Sequence, residues 1–461
     1  MIATSFLFFL LIYLAIGIYS ATRRKPTTND YLLAGREMGP WMVALSAVST
    51  ANSGFMFIGL IGATYAVGLS SMWIMVGWVF GDYLAWRAIH QPLRERSERL
   101  GASSFNRFLG SSEDGESQSG IIRVAALSSM IFLGTYAGAQ LTAGSKALSV
   151  LFGWDYSVGV LLGAAIVVAY CFAGGIRASI WTDAAQASVM FLAMFVLMAV
   201  ALRATGGFSG MWAQLEAIDP TLTDWRPANL RYGFALYLGS WVAAGIGVLG
   251  QPHVMIRPMT IDSSEHIGQA RRIYITYYSL FSAAAITVGL TARVLLPVVD
   301  AFDPELGLPN LAQLLLPDIM VGFILAGVFA ATISTADSLI LACSAALTQD
   351  LAPRWGSSYA GAKAGTLLVT AVVVLFVFSG GQSVFDLVVL SWSALGGTLG
   401  PLLALRALGR PVSSRLAITM MTVALAVMLL WRAFGDPDSI YEILPGILAG
   451  LVVYAIGRDR S

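Results

Sequence analysis

Apolar stretches of roughly 18 to 28 residues alternate with short polar breaks along nearly the whole chain. Each is long enough to cross a hydrocarbon core of about 30 Å as a helix. Placing the stretches between their breaks predicts thirteen spans, centred near residues 12, 54, 80, 136, 165, 191, 245, 285, 332, 372, 395, 425 and 449. The predicted fold class is an all-α polytopic membrane protein. Composition agrees: 57% of the 461 residues are hydrophobic and 11% are charged, against about a quarter charged in soluble domains. A soluble fold could not cover that much apolar surface, so the length reads as one helical bundle and not as several soluble domains.

The first stretch has no basic residue before it and no small-residue cleavage site, and it does not read as a signal peptide. Arg23, Arg24 and Lys25 follow it, which predicts an N-terminus outside and the next connection inside. Continuing the alternation places Arg94, Arg96, Arg99, Arg107, Arg177, Arg257, Arg271, Arg272, Arg406 and Arg410 in cytoplasmic connections, with Arg458 and Arg460 at a cytoplasmic C-terminus. The outer side keeps Arg226 and Arg231, with Lys146 near an outer helix end. The connection around Asp300, Asp303 and Glu305 has no basic residue of its own. Residues 110–120 read as a flexible inner connection, and residues 206–232 as an outer interfacial segment anchored by Trp212 and Trp225. Cys171 and Cys343 both fall in apolar stretches and read as buried thiols, not a disulfide framework. The net charge of +1 gives no indication of a nucleic-acid partner.

The informative spans are those that make poor membrane helices, because polar groups at bilayer depth are costly unless paired or facing a cavity. The second span sets Ser49, Thr50, Asn52, Ser53 and Gly54 near its middle. An unwound turn there would aim free carbonyls at a cation and a half-helix N-terminus at an anionic group. The seventh span is interrupted by Gly245, Gly247, Gly250, Gln251 and Pro252, where proline removes a donor and glycine relaxes the helix. The two interruptions are five spans apart, the spacing of two inverted halves each opened by a broken helix. Gly245-x-Gly-x-x-Gly250 also matches a dinucleotide-binding pattern by letter, but no strand precedes it.

In the ninth span, Ala331, Ser334, Thr335, Asp337 and Ser338 fall within a stripe of roughly 160° at about 100° per residue. One face of that helix is therefore lined with oxygen. Asp82, Asp183 and Asp337 are the acids inside spans, and Asp82 and Asp183 lie toward cytoplasmic ends where interfacial water is in reach. His90, His253 and His266 fall near the cytoplasmic face, and no His/Cys cluster has metal-ligand spacing.

Six ordered motifs, Asp30-Tyr-Leu-Leu-Ala-Gly-Arg36, Gly39-Pro-Trp41, Ser53-Gly54, Trp181-Thr-Asp-Ala-Ala-Gln186, Gly250-Gln-Pro-His253 and Ala330-Ala-Thr-Ile-Ser-Thr335, together resemble the sodium/solute symporter family, nearest its sodium/proline branch. The resemblance implies a five-plus-five inverted-repeat core with alternating access and Na+ coupling. It implies a main sodium site of the Ser49, Asn52 and Ala331 carbonyls with the Ser334 and Thr335 hydroxyls. It also implies a second site at Asp183 and Ser338, where Asp337 replaces a hydroxyl residue; two close carboxylates would favour an extra cation or a shared proton. The substrate space implied lies at Ala51, Ser53, Gly54, Tyr136, Gln140, Ala244, Val248 and Gln251. It departs from the proline branch, which has an aspartate at the position of Ala51 and large aromatics at those of Ala244 and Val248. Those changes predict an enlarged pocket with fewer polar handles. Gln140 and Gln251 supply either replacement hydrogen bonds or helix-helix contacts.

The expectation is a secondary active transporter, not an enzyme, carrying a small organic solute with sodium across a bacterial inner membrane. Its partners are the solute and the lipid bilayer, with no nucleic acid and no obligatory protein partner. Residues 1–35 form a first helix and basic loop, 36–205 the first repeat, 206–231 the outer loop, 232–410 the second repeat, and 411–461 two C-terminal helices. The rival is a solute sensor on the same fold that signals without transport; an intramembrane enzyme lacks a nucleophile/base pair.

Overall fold

The computed structural model describes residues 1–22, 30, 33–111, 118–296, 302–356, 359–380 and 383–458. Arg23, Arg24, Lys25, Asp300 and Arg460, and most of the 110–120 connection, lie outside the described residues. Among the described residues the regular elements are helices, and the one extended pairing is an isolated parallel bridge between Met38 and Ile261. In chain order they are α1 (Ile2–Ala21), α2 (Pro40–Gly54), α3 (Leu60–Val67), α4 (Met72–Ala88), α5 (His90–Arg99), α6 (Phe105–Leu109), α7 (Ser119–Phe152), α8 (Tyr156–Ala204) and α9 (Gly207–Ile218). The second half comprises α10 (Phe234–Ile246), α11 (Pro252–Thr260), α12 (Ile267–Leu295), α13 (Gly307–Leu315), α14 (Asp318–Ala345), α15 (Pro353–Gly356), α16 (Tyr359–Ser379), α17 (Val384–Ala407), α18 (Ser414–Phe434) and α19 (Ile443–Gly457).

All thirteen predicted centres fall on helical residues. Among the described residues, seven helical segments are long and apolar enough to cross a bilayer, and a bent pair, Phe234–Gly250 with Pro252–Thr260 at 63°, makes an eighth. The two spans expected around residues 165 and 191 fall on one run of helical residues, α8, whose apolar parts are Tyr156–Ala169 and Ile176–Ala204. At about 1.5 Å per residue its 49 residues far exceed one bilayer thickness, which is why hydropathy divided it in two.

The core centres on α14, buried over most of its length and packed against α7, α8, α1 and α2. Against it lies the first broken helix. α2 leaves helical geometry at Ser53 (φ 44°, ψ −176°) and passes through a π-turn, Phe55–Gly59, into α3. The second break runs from α10 through a 3-10 turn, Gly247–Gly250, to Gln251 in extended geometry, after which Pro252 opens α11. Proline suits that first helical position, where its missing N–H would have no partner anyway. The two broken helices are tied at one end: Met38 and Ile261 pair, and Arg36 donates to the Met259 carbonyl at 2.8 Å and the Ser97 carbonyl at 3.1 Å.

At another face, Lys146 on α7 is buried and donates to Asp303 and Glu305, both at 2.7 Å. The Glu305 carboxylate also accepts the N–H groups of Val384 and Phe385 at the N-terminus of α17. A negative charge is favourable there. The acidic connection therefore draws its cation from a helix distant in sequence. Glu305→Gln keeps a carbonyl for one backbone N–H and leaves Asp303 to Lys146, so a loss of about 1 to 3 kcal/mol is expected, read as a lower melting temperature; an unchanged melt would show that the clamp contributes nothing.

Candidate cation and solute site

The cation candidate lies where α2 approaches its break beside the middle of α14. Ser334 and Thr335 sit one helical turn after Ala331, so both hydroxyls reach back to the Ala331 carbonyl, at 3.2 and 2.9 Å. Thr335 Oγ1 also reaches the Thr50 carbonyl at 3.2 Å, and Ser49 Oγ donates to Ser334 Oγ at 3.1 Å. Oxygens of five residues from two helices thus meet in a buried place. The Asn52 carbonyl accepts the Phe55 N–H at the break, while neither amide atom of the Asn52 side chain has a partner among the described residues. The Thr50 hydroxyl is likewise buried and unpartnered. Orphaned polar atoms beside a ring of carbonyls and hydroxyls fit a hard cation, which gathers oxygen ligands. The Thr50 carbonyl, absent from the expected ligand set, is the α2 carbonyl that touches Thr335.

The second cluster differs from expectation. Asp183 and Ser338 are brought together, but by Arg257, a residue expected in a cytoplasmic connection. It is 1% exposed on α11. Arg257 Nη2 donates to Ser338 Oγ at 2.7 Å and to Asp183 Oδ2 at 3.2 Å, and Nε donates to Ser46 Oγ at 3.3 Å. Asp337 joins through Ser338 Oγ, 3.0 Å from its Oδ1. Hydropathy read Arg257 as a loop residue because α11 is short and polar, but a partner carboxylate allows a charge to be buried. Water in reach of Asp82 and Asp183 was likewise expected and does not hold. Both are at most 1% exposed, and Asp82 accepts from Tyr274 Oη at 2.6 Å. His90 and His253 are also buried, whereas His266 is exposed.

The expected solute residues converge on the two breaks. Ser53 Oγ accepts from Tyr136 Oη at 3.0 Å, and the Gly54 N–H donates to Gln140 Oε1 at 2.7 Å. A Cβ on Gly54 would lie 2.8 Å from both Ala143 Cβ and Thr332 Cγ2, so only glycine lets α2 approach this closely. Ala51 is buried nearby, and a cavity of ≈ 10 Å³ borders Gln140, Gly144 and Thr332, room for about one water. At the second break, Ala244 and Val248 are fully buried. Trp392 of α17 lies against this break, its Nε1 donating to the Ala244 carbonyl at 2.7 Å. Its ring packs 4.9 Å from that of Trp78. Gln251 Nε2 donates to the Trp392 carbonyl at 3.0 Å. Both glutamines thus bond backbone of neighbouring helices, each with one amide atom unpartnered. The Ala244 backbone thus meets an indole from another helix, a contact that a reading span by span could not anticipate.

The profile of the "Sodium:solute symporter family" matches residues 31–423. This chain belongs to that family. The symporter is 30% identical over 449 residues to the high-affinity proline transporter PutP of Bacillus subtilis (strain 168), covering 95% of this chain and 94% of that protein. It is 29% identical over 474 residues to a sodium/proline symporter of Staphylococcus aureus (strain USA300 / TCH1516), covering 98% and 91%. Its fold matches the substrate-bound, outward-open structure of a Na+-coupled sialic acid symporter with a TM-score of 0.83 at 19% identity, over 100% of this chain and 97% of that one. A nucleobase-cation-symport-1 family transporter, Mhp1, in a closed conformation follows at a TM-score of 0.61 and 16% identity, over 95% and 96%. The symporter is thus an integral membrane protein that couples solute movement to sodium, with no covalent chemistry. Of the contacts just described, the sequence reading missed Thr50, Arg257, Ser46 and Trp392. Two of them carried a signal: Thr50 as a member of the polar cluster in the second span, and Arg257 as a charge one turn beyond His253 in a motif already singled out.

Proposed function

We propose that the symporter carries a small amino-acid-like solute whose carboxylate is recognised at the first break, next to a main sodium site formed by the Ser49, Thr50, Asn52 and Ala331 carbonyls and the Ser334 and Thr335 hydroxyls. The observation that carries this reading is the Ser53 kink. It leaves the Gly54 N–H and the start of the following helix facing Gln140 and Tyr136, within two turns of the cation candidate. A half-helix N-terminus favours an anionic group. Curated relatives named for proline support the solute class, while Ala51, Ala244 and Val248 argue for a member other than proline.

In this reading the chain crosses the membrane thirteen times, the long α8 contributing two of the crossings, with the N-terminus outside and the C-terminus in the cytoplasm of a bacterial inner membrane. The spans around α2 to α8 and around α10 to α17 are inverted repeats. Sodium bridges α2 to α14 and stabilises an outward-open state; the solute binds; and rocking of the repeats exposes both inward. Counterflow in proteoliposomes with a panel of labelled amino acids, proline included, and their amides checks this. Sodium-dependent exchange of an amino acid, lost when its carboxylate becomes an amide, is expected; equal exchange of acid and amide would overturn the carboxylate assignment. Absence of counterflow with sodium-dependent thermal stabilisation by a solute would favour the sensor reading.

A further inference from the structure

Arg257 sits where a mobile ion would otherwise have to be. Its guanidinium is surrounded by oxygens from four helices: Ser46 Oγ on α2, Ser179 Oγ and Asp183 Oδ2 on α8, Ser338 Oγ on α14, and the His253 carbonyl on its own α11. Asp183 Oδ2 also accepts from Ser46 at 2.6 Å and from Ser179 at 3.4 Å. This is the oxygen set of a cation site, already filled by a cation that is covalently part of the chain. We propose that Arg257 is a tethered substitute for a second coupling ion, so that the symporter binds one sodium ion, at Ser334 and Thr335, and none at Asp183.

Guanidinium suits the role for three reasons. It does not lose its proton in proteins, it presents donors in a planar fork that can serve several oxygens at once, and it is less strongly hydrated than an ammonium. Both Arg257 and Asp183 are at most 1% exposed, and charges this deeply buried persist only when paired. A sodium ion at the same place would meet Ser338 Oγ and Asp183 Oδ2 only by displacing the guanidinium, leaving it buried without a partner. Asp337 offers no separate site. Its carboxylate accepts from Ser338 Oγ, which Arg257 already uses, and its backbone carbonyl accepts from the Cys171 thiol. A hard cation gathers several oxygens. Losing Arg257 would remove the charge paired with Asp183 and leave the oxygens of Asp183 and Ser338 free to hold a small cation.

The inference rests on the main-site reading and is tested separately from it, by binding of radiolabelled sodium to the purified full-length chain with no solute present. Wild type is expected to saturate at one ion per chain with a Hill coefficient close to 1. Arg257→Gln is expected to bind a second ion, which adding Asp183→Asn removes, whereas Arg257→Lys keeps the count at one. A wild-type count of two that falls to one in Asp183→Asn overturns the proposal even if Arg257→Gln does not fold. A folded Arg257→Gln that still binds one ion overturns it as well. The main-site reading fails on different data: one ion per chain, unaffected by Ser334→Ala with Thr335→Ala, would sink that site and leave the count at Arg257 standing.

Discussion

Ser334→Ala combined with Thr335→Ala is expected to raise the sodium concentration for half-maximal counterflow by at least about 100-fold, which at ordinary sodium concentrations abolishes sodium-stimulated uptake. Each hydroxyl offered to a charge contributes about 1.5 to 3 kcal/mol, and every 1.4 kcal/mol is about tenfold in affinity. The fold should survive, because each hydroxyl otherwise bonds back to the Ala331 carbonyl of its own helix at 3.2 and 2.9 Å. The helix keeps its backbone ladder, and alanine is its best former. One structural contact across helices is lost with each residue: Ser49 Oγ to Ser334, and Thr335 to the Thr50 carbonyl. Ser49 retains the Met190 sulfur at 3.5 Å. The double swap Ser334→Thr with Thr335→Ser keeps both oxygens and should restore coupling, which a purely structural role would not require. Unchanged sodium dependence in the alanine double variant would remove these residues from the site.

The same region shows what the sequence made legible. Helix identity came from apolar length, and both breaks from glycine, proline and hydroxyl residues at bilayer depth: the observed kinks at Ser53 and at Gly247–Gly250 fall inside the clusters at residues 49–54 and 245–252. The stripe on α14 was legible because helical periodicity is local. What was illegible depends on pairing between elements. Arg257, Lys146 and Asp82 all look like charges that should seek water; each is buried by a partner 74, 157 or 192 residues away. Trp392 is an ordinary apolar residue of its own span until α17 is set against the small side chain of Ala244. Hydropathy scores a charge by its own transfer cost and has no entry for its counter-charge.

The contact that sets α10 in place gives the second large effect: Gly245→Ala is expected to destabilise the symporter by at least about 3 kcal/mol, near the upper end for overpacking a core. An added Cβ would lie 2.0 Å from the Trp78 carbonyl oxygen, 2.6 Å from the Asp82 nitrogen and 2.8 Å from Gly81 Cα. All three are backbone atoms of α4, so no side chain can swing aside. The contact is reciprocal, since a Cβ on Gly81 would lie 2.0 Å from the Val242 carbonyl oxygen. With Gly77 and Gly81 forming a small-xxx-small face on α4, the two backbones approach as glycine-lined membrane helices do. Relieving the clash would move α10 by more than roughly 1 Å, a shift that a close-packed interior does not absorb locally. It would also carry Ala244 away from Trp392 and Trp241 away from its stacking partner Trp78. Gly239 on the same helix has nothing within 4 Å of its Cβ position, so Gly239→Ala should match or slightly exceed wild-type stability, in line with alanine's higher helix propensity. Melting temperature and the monodisperse fraction on size exclusion, measured for both variants, check the pair. Equal behaviour of Gly239→Ala and Gly245→Ala would show that α4 and α10 are not held in the close crossing that positions Ala244 and Val248, the residues proposed to border the solute.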